Sequence, residues 1–224
     1  METINRSQRR RLRNREKLMQ ATQSIIIEKG VNALNPRLIT AKADLGLGTF
    51  YNHFKTVSEI IDAVVDLIVQ HHLLETARIT AEFSDPAEIA AMATRFNFHK
   101  IADNDTWRRL VMDSGIQIDY LAAPIVQRAS NNIEVGLSTG RFKVDDIEFV
   151  MSIIRGSLVS VAIDIRKGKL GFEREKSFAV FFLKMLGLDE NEAIEICNQP
   201  FPSIKISNPP LKALDENQQK LLES

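Results

Sequence analysis

The stretch Ile39-Thr40-Ala41-Lys42-Ala43-Asp44-Leu45-Gly46-Leu47-Gly48-Thr49-Phe50-Tyr51-Asn52-His53-Phe54-Lys55 decides how this chain is read. Just before it, Asn35-Pro36 has the form of an N-cap followed by proline at the first helical position. A short helix is therefore predicted over Pro36 to Ala43. Asp44-Leu45-Gly46 breaks it, and a second short helix runs from Leu47 to about Phe54. Phe50 and Phe54 are four apart, so both can face a core. Thr49, Asn52 and His53 then point elsewhere, with Tyr51 at the margin. Gly48 is out of character, because glycine inside a helix costs about 1 kcal/mol relative to alanine. It makes sense where the backbone must approach another body closely.

Upstream, a helix is predicted from Arg13 to Lys29, with Leu18, Ala21, Ile25 and Glu28 on neighbouring turns, Ile26 beside them, and Gly30 placed to stop it. Residues 1–12 are polar and arginine-rich and are read as a mobile arm. The zero net charge of the whole chain conceals an asymmetry: residues 1–55 hold 11 Lys/Arg against 4 Asp/Glu, a net of +7, and the remainder nets −7. A basic end on an acidic body fits either a polyanion partner at that end or a solvated basic tail. Three helices, the last two short and tightly joined, form the pattern of a helix-turn-helix unit. Its second short helix needs an exposed face of small and polar residues to enter a major groove.

Downstream, Thr56 or Ser58 can cap a long helix to about Ile79, with an apolar stripe of Ile60, Ile61, Val64, Val65, Leu67, Ile68 and His71. Helices are then predicted from Ser84-Asp85-Pro86 to about Ile101, from Asn104-Asp105 across Trp107 to Met112, and from Asp119 to Leu137 with a kink near Pro124. Further helices follow from Asp145-Asp146 to Lys167, from Phe172 to Leu186, and from Asp189 to Asn198. Pro200 to Pro210 holds four prolines and reads as extended, and residues 211–224 as a loose terminal helix.

Composition narrows the class. With 44% hydrophobic residues in 224 there is material for a substantial core. One cysteine, Cys197, excludes an internal disulfide and a cysteine-based zinc site, and a reducing cytoplasm fits. His71-His72 with His99 raises the question of a metal. Adjacent helical residues diverge by about 100°, so they rarely share an ion and none is expected. The longest apolar candidate for a membrane span, Met151 to Ile165, is interrupted by Arg155, Ser157 and Ser160, so no membrane partner is expected. The basic N-terminus is not followed by the apolar run of a secretory signal.

The 39–55 stretch resembles the signature of the TetR/AcrR family, roughly I-A-x-x-A-G-V-S-x-G-T-hydrophobic-Y-x-[HY]-F-x-[SN]-K-E. Gly48, Thr49, Tyr51, His53 and Phe54 match in register. Gly140-Arg141-Phe142 is similar to the loop before the family's eighth helix, and Leu186-Gly187-Leu188-Asp189 to the end of its ninth. The departures are Asp44 for the turn glycine, Thr40 for an alanine, Gly46 for the capping serine and Val57 for the lysine of S-K-E. The resemblance implies an all-α fold: a basic arm and three-helix helix-turn-helix DNA-binding domain over 1–56, a larger helical ligand-binding and dimerisation domain over 57–199, and a proline-rich tail over 200–224.

It also implies roles. Arg37 contacts phosphate or a base edge; Leu47, Gly48 and Thr49 face bases; Asn52 is a base reader; Tyr51, His53 and Lys55 hold phosphates of double-stranded operator DNA. Arg9, Arg10, Arg11 and Arg13 add electrostatic affinity, in the minor groove if anywhere fixed. Two chains would pair through 145–167 and 172–186, Phe172, Phe178, Phe181 and Phe182 meeting the small residues Gly156, Ser157, Ser160 and Ala162. A pocket for a small apolar or amphipathic effector would draw on Phe96, His99, Trp107, Met112, Gln117, Tyr120 and Phe149, with the long helix after Ser58 carrying its effect to the DNA-binding end. No cofactor is implied.

Other classes stay open at this point. An enzyme is not expected: there is no glycine-rich phosphate loop, nucleophile elbow, H-E-x-x-H or carboxylate pair at helical spacing. An all-helical small-molecule carrier has no use for the basic end. A DNA-binding factor of the same fold without a small ligand, architectural or division-related, would keep it. Neither repression nor activation is written in the sequence.

Overall fold

The computed structural model describes residues 5–103, 109, 115–116, 118–171, 174–202 and 215–223. Among these every extended element is an α-helix. They are α1 (Arg6–Lys29), α2 (Pro36–Ala43), α3 (Leu47–Tyr51), α4 (Val57–Thr80), α5 (Pro86–Asp103), α6 (Ile118–Ser138), α7 (Ile147–Arg166), α8 (Arg174–Met185), α9 (Glu190–Asn198) and α10 (Glu216–Glu223), with a 3-10 turn at Val31–Ala33. The chain divides into two compact units, one of residues 1–72, 109–121 and 209–224, the other of residues 73–108 and 122–208. No described helix is long and apolar enough to cross a membrane.

The reading of residues 1–12 as a mobile arm is corrected from residue 6 onward. Asn5 caps α1, its side chain accepting from the Gln8 N–H at 2.9 Å while the Gln8 side chain accepts from the Asn5 N–H at 2.8 Å. This reciprocal capping box satisfies two otherwise orphan donors. It holds a helical start even though the first turn carries no acid to suit the positive end of the helix dipole.

In the first unit α1 packs on α2, and α2 on α3. Leu18, Ile25 and Ile26 of α1, Ile39 of α2, Phe50 of α3 and Phe54 are buried. So are Ile60, Val64 and Ile68 in the first turns of α4. Asn35 caps α2, accepting from the Leu38 N–H at 2.9 Å, with Pro36 following as expected. Asp44 ends α2 in the left-handed region at φ 53°, ψ 51°. Thr40 is buried, and its hydroxyl donates back to the Pro36 carbonyl at 2.8 Å, which disposes of the extra polar group within the helix. Gly46 gives α3 no side-chain cap. Helical geometry stops at Tyr51, earlier than the predicted Phe54, although the Phe54 N–H still donates to the Phe50 carbonyl. Thr56 caps α4, accepting from the Glu59 N–H at 3.1 Å, and Glu59 accepts from the Lys55 N–H at 2.7 Å.

In the second unit α5, α8 and α9 pack on one another, and α5 also on α7. Their core joins Ala87, Ala90 and Ala91 of α5, Ile133 of α6, Met151 and Ile154 of α7, Ala179, Phe182 and Leu183 of α8, and Ala193 and Ile196 of α9. The Gly140-Arg141-Phe142 loop has a specific job. Phe142 lies against Gly136, where an added Cβ would fall inside its ring. Arg141 pairs with Asp85 at 2.8 Å and Glu192 at 2.8 Å, joining the starts of α5 and α9. At Gly187 φ is +91° and the Lys143 carbonyl sits where a Cβ would need to be, so only glycine fits. Helix α6 runs through Pro124 unbroken. The helix predicted across Trp107 and Met112 and the extended 203–210 segment lie outside the described residues.

Candidate nucleic-acid interface

Helix α3 presents two faces. Phe50 is fully buried and stands edge-on to Tyr51, with ring centroids 5.4 Å apart. The other side is open: Leu47 is 40% and Tyr51 57% exposed, although both are large and partly apolar. Gly48 is exposed, and a Cβ built on it meets no atom within 4 Å. Internal packing therefore does not require glycine there. Thr49 is half-buried.

Of the other residues assigned to DNA, Arg37, Asn52 and Lys55 are exposed and His53 is half-buried. All eight belong to the first unit and sit on α2, α3 or the turn after it. Desolvation, then the charges of Arg11 and Arg15, hold the His53 pKa below the usual histidine value. Arg15 lies with its guanidinium carbon 4.3 Å from the centroid of the Phe54 ring. Sequence reasoning gave Arg15 no role. Its place on the turn before Leu18, toward the core side of α1, is the signal that would have found it.

Of the residues proposed for an effector, the described side chains are Phe96, His99 and Phe149. Phe96 is fully buried beside Ile79, Met92, Phe83 and Phe201. His99 stacks on Phe201 with ring centroids 4.1 Å apart, and its Nε2 lies 3.3 Å from Glu175 Oε2. Phe149 does not join them: it stands 63% exposed on α7, because Met151 and Ile154 take the inward face of that helix. Trp107, Met112 and Gln117 lie outside the described residues. Tyr120 is placed only as backbone in α6.

Around Phe96 and His99 are charged groups that the sequence reading passed over. Arg95 is 3% exposed; it pairs with Glu175 at 3.3 Å and donates to the Gln199 carbonyl at 2.8 Å. Lys100 is fully buried and pairs with Glu75, and burial lowers its pKa despite that partner. Their signal was spacing: Arg95 and His99 are four apart on α5, as are Phe96 and Lys100, so charge interrupts an otherwise apolar stripe.

On α7 the residues Phe149, Ile153, Gly156 and Ser160 follow at helical spacing and are all exposed. A Cβ on Gly156 would meet nothing within 4 Å. On α8 Phe181 is 57% exposed. Phe182 is buried in the chain's own core, and Phe178 packs 5.1 Å from Phe98, so these two aromatics serve the interior. Phe172 and the Ala162 side chain lie outside what is described.

The family described as "Tetracyclin repressor-like, C-terminal domain" matches residues 85–199. No curated protein matches the chain. Among solved structures, RolR without ligand is 26% identical, with a TM-score of 0.66 over 84% of this chain and 99% of that one. RolR in complex with resorcinol is 27% identical, with a TM-score of 0.65 over 88% and 99%. A structure from Shewanella sp. PV-4 described as a tetR-family transcription regulator shares the fold at 12% identity, with a TM-score of 0.61 over 79% and 99%. With a helix-turn-helix unit ahead of the matched domain, this chain belongs to the TetR family of transcription regulators.

Proposed function

We propose that the protein is a sequence-specific repressor that binds a palindromic operator as a homodimer and is released by a small-molecule effector. The observation that carries the DNA-reading part is the outer face of α3. Leu47 and Tyr51 stand exposed at a cost in apolar hydration, and Gly48 is left without a neighbour. A backbone with no side chain between exposed Leu47 and half-buried Thr49 suits close approach to base edges, with Leu47 able to meet a thymine methyl. Arg37, Tyr51, His53 and Lys55 border that face as phosphate ligands, and Asn52 as a base reader.

Pairing through α7 and α8 is supported by the outward stripe of Phe149, Ile153, Gly156 and Ser160 and by exposed Phe181. Large aromatics beside residues small enough for close helix approach suit an interface of that kind. An effector is supported by the resorcinol complex of RolR, a small ring with polar groups. Phe96 and His99 with the buried charges near them offer that mixture. Helix α4 carries the signal by tilting.

Selection of bound duplexes from a random pool tests the reading. A palindrome with half-sites about one DNA turn apart, or a multiple of it, is expected. No enrichment at any salt concentration, or an asymmetric site, overturns it.

A further inference from the structure

Arg11 and Arg15 are one turn apart on the same side of α1, the side that turns toward Leu18 and the core. Arg6, Arg9, Arg10, Arg13 and Lys17 fall within an arc of about 100° on the opposite side. The two sets of cations therefore face different surroundings. Arg15 rests on the Phe54 ring at 4.3 Å, and Phe54 is itself 3% exposed, so the guanidinium has a fixed seat. The His53 ring centroid is 6.4 Å from that of Phe54, which brings the imidazole into the same neighbourhood.

This is a convergence of like charge. Among the described residues neither Arg11 nor Arg15 forms an ion pair, whereas Lys42 on α2 is paired with Glu28 at 2.7 Å. From α1, the groups felt at His53 are Arg11 and Arg15. The titratable groups two residues to either side of it in the chain are Tyr51 and Lys55, and the Glu59 carboxylate accepts from the Lys55 N–H. Cations held together without a counter-charge are unfavourable by themselves and become favourable around an anion.

We propose that Arg11 and Arg15 of α1, with His53, form a clamp for one backbone phosphate of duplex DNA, the Phe54 ring fixing the Arg15 guanidinium. The clamp rests on the DNA-binding reading above and adds a contact from α1 beside the end of α3. An arginine pair suits a phosphate diester because each fork can donate two parallel hydrogen bonds. The clamp also takes up a proton. In the free protein desolvation and the two arginines hold His53 toward its neutral form. A phosphate between them favours the imidazolium, so the bound pKa is the higher one. Affinity then rises as pH falls through the interval between the two values and levels off below it.

The test uses the full-length protein and fluorescein-labelled duplexes, one selected from the random pool and one scrambled, titrated by anisotropy over a range of salt and pH. Arg11→Gln and Arg15→Gln are each expected to weaken both duplexes by a similar factor, of order 3- to 30-fold. Each should also reduce the slope of log K against log salt by about one unit. His53→Gln should weaken both duplexes and abolish the proton uptake, so that affinity no longer rises as pH falls while the wild type's does. Arg11 is exposed, so its variant carries the test even if Arg15→Gln disturbs packing on Phe54. Wild-type binding with unchanged salt slopes in both arginine variants overturns the clamp and leaves the DNA reading standing. Wild-type failure to bind any duplex overturns the reading itself.

Discussion

Gly48 is costly inside the chain and useful only outside it. In a helix it forgoes about 1 kcal/mol relative to alanine, and a methyl group there would touch nothing. Gly48→Ala is therefore expected to raise stability, by up to about 1 kcal/mol in urea unfolding. It should weaken the selected duplex at least about tenfold, or about 1.4 kcal/mol. A variant that is stabilised and binds as before would remove the reason given for the glycine. Asp44 is the opposite case, because its cost is set within the chain. It is the one described non-glycine residue with positive φ. Asp44→Gly should stabilise by about 0.5–1 kcal/mol, with affinity per folded molecule unchanged. A loss of stability would mean that the aspartate side chain contributes a contact outweighing its strain. Both positions could be read from sequence because each departs from what a helix or turn prefers. Thr40 could be flagged but not resolved: only coordinates reveal that its hydroxyl donates within its own helix to Pro36.

At the level of elements, sequence located what has punctuation. Asn35-Pro36, Asp85-Pro86, Asp146 and Asp189 each mark a helix start that the structure keeps. The start of α1 was missed because the seven cations between Arg6 and Lys17 outweighed the quieter Asn5–Gln8 capping box. The polar node of the second unit was missed for another reason. Arg95 on α5 and Glu175 on α8 are 80 residues apart, and no local period links them. Their pairing has an energetic signature. Arg95 is 3% and the Glu175 side chain 9% exposed, so removing one partner leaves a charge stranded in a poor dielectric. Glu175→Ala should cost about 3–5 kcal/mol in urea unfolding. Arg95→Met with Glu175→Leu should recover much of that loss. A single variant that costs under about 1 kcal/mol would show the pair to be as weak as a surface bridge.

At the level of the whole molecule, α7 and α8 carry exposed apolar side chains that an isolated chain has no use for. Phe149 at 63%, Ile153 at 37% and Phe181 at 57% exposure leave large side chains in water. Isolated exposed apolar residues are ordinary, but these share two helices with a glycine whose small size the chain does not use. If a second copy covers them, a buried charge should split the pair, because each partner would carry it into the same isologous contact. Phe149→Asp combined with Phe181→Asp is expected to sediment as a 25.3 kDa monomer at micromolar concentration, and the wild type is expected at twice that mass. Its fold should survive, since neither side chain belongs to the core that contains Phe182 and Leu183. Such a monomer has one reading head, so it should bind a single half-site as the wild type does at high protein concentration. It should lose the palindrome's advantage, which comes from tethering two heads at a high effective concentration. A variant that remains dimeric places the interface elsewhere on the chain, and a monomeric wild type that still selects a palindrome separates the reading of DNA from pairing in solution.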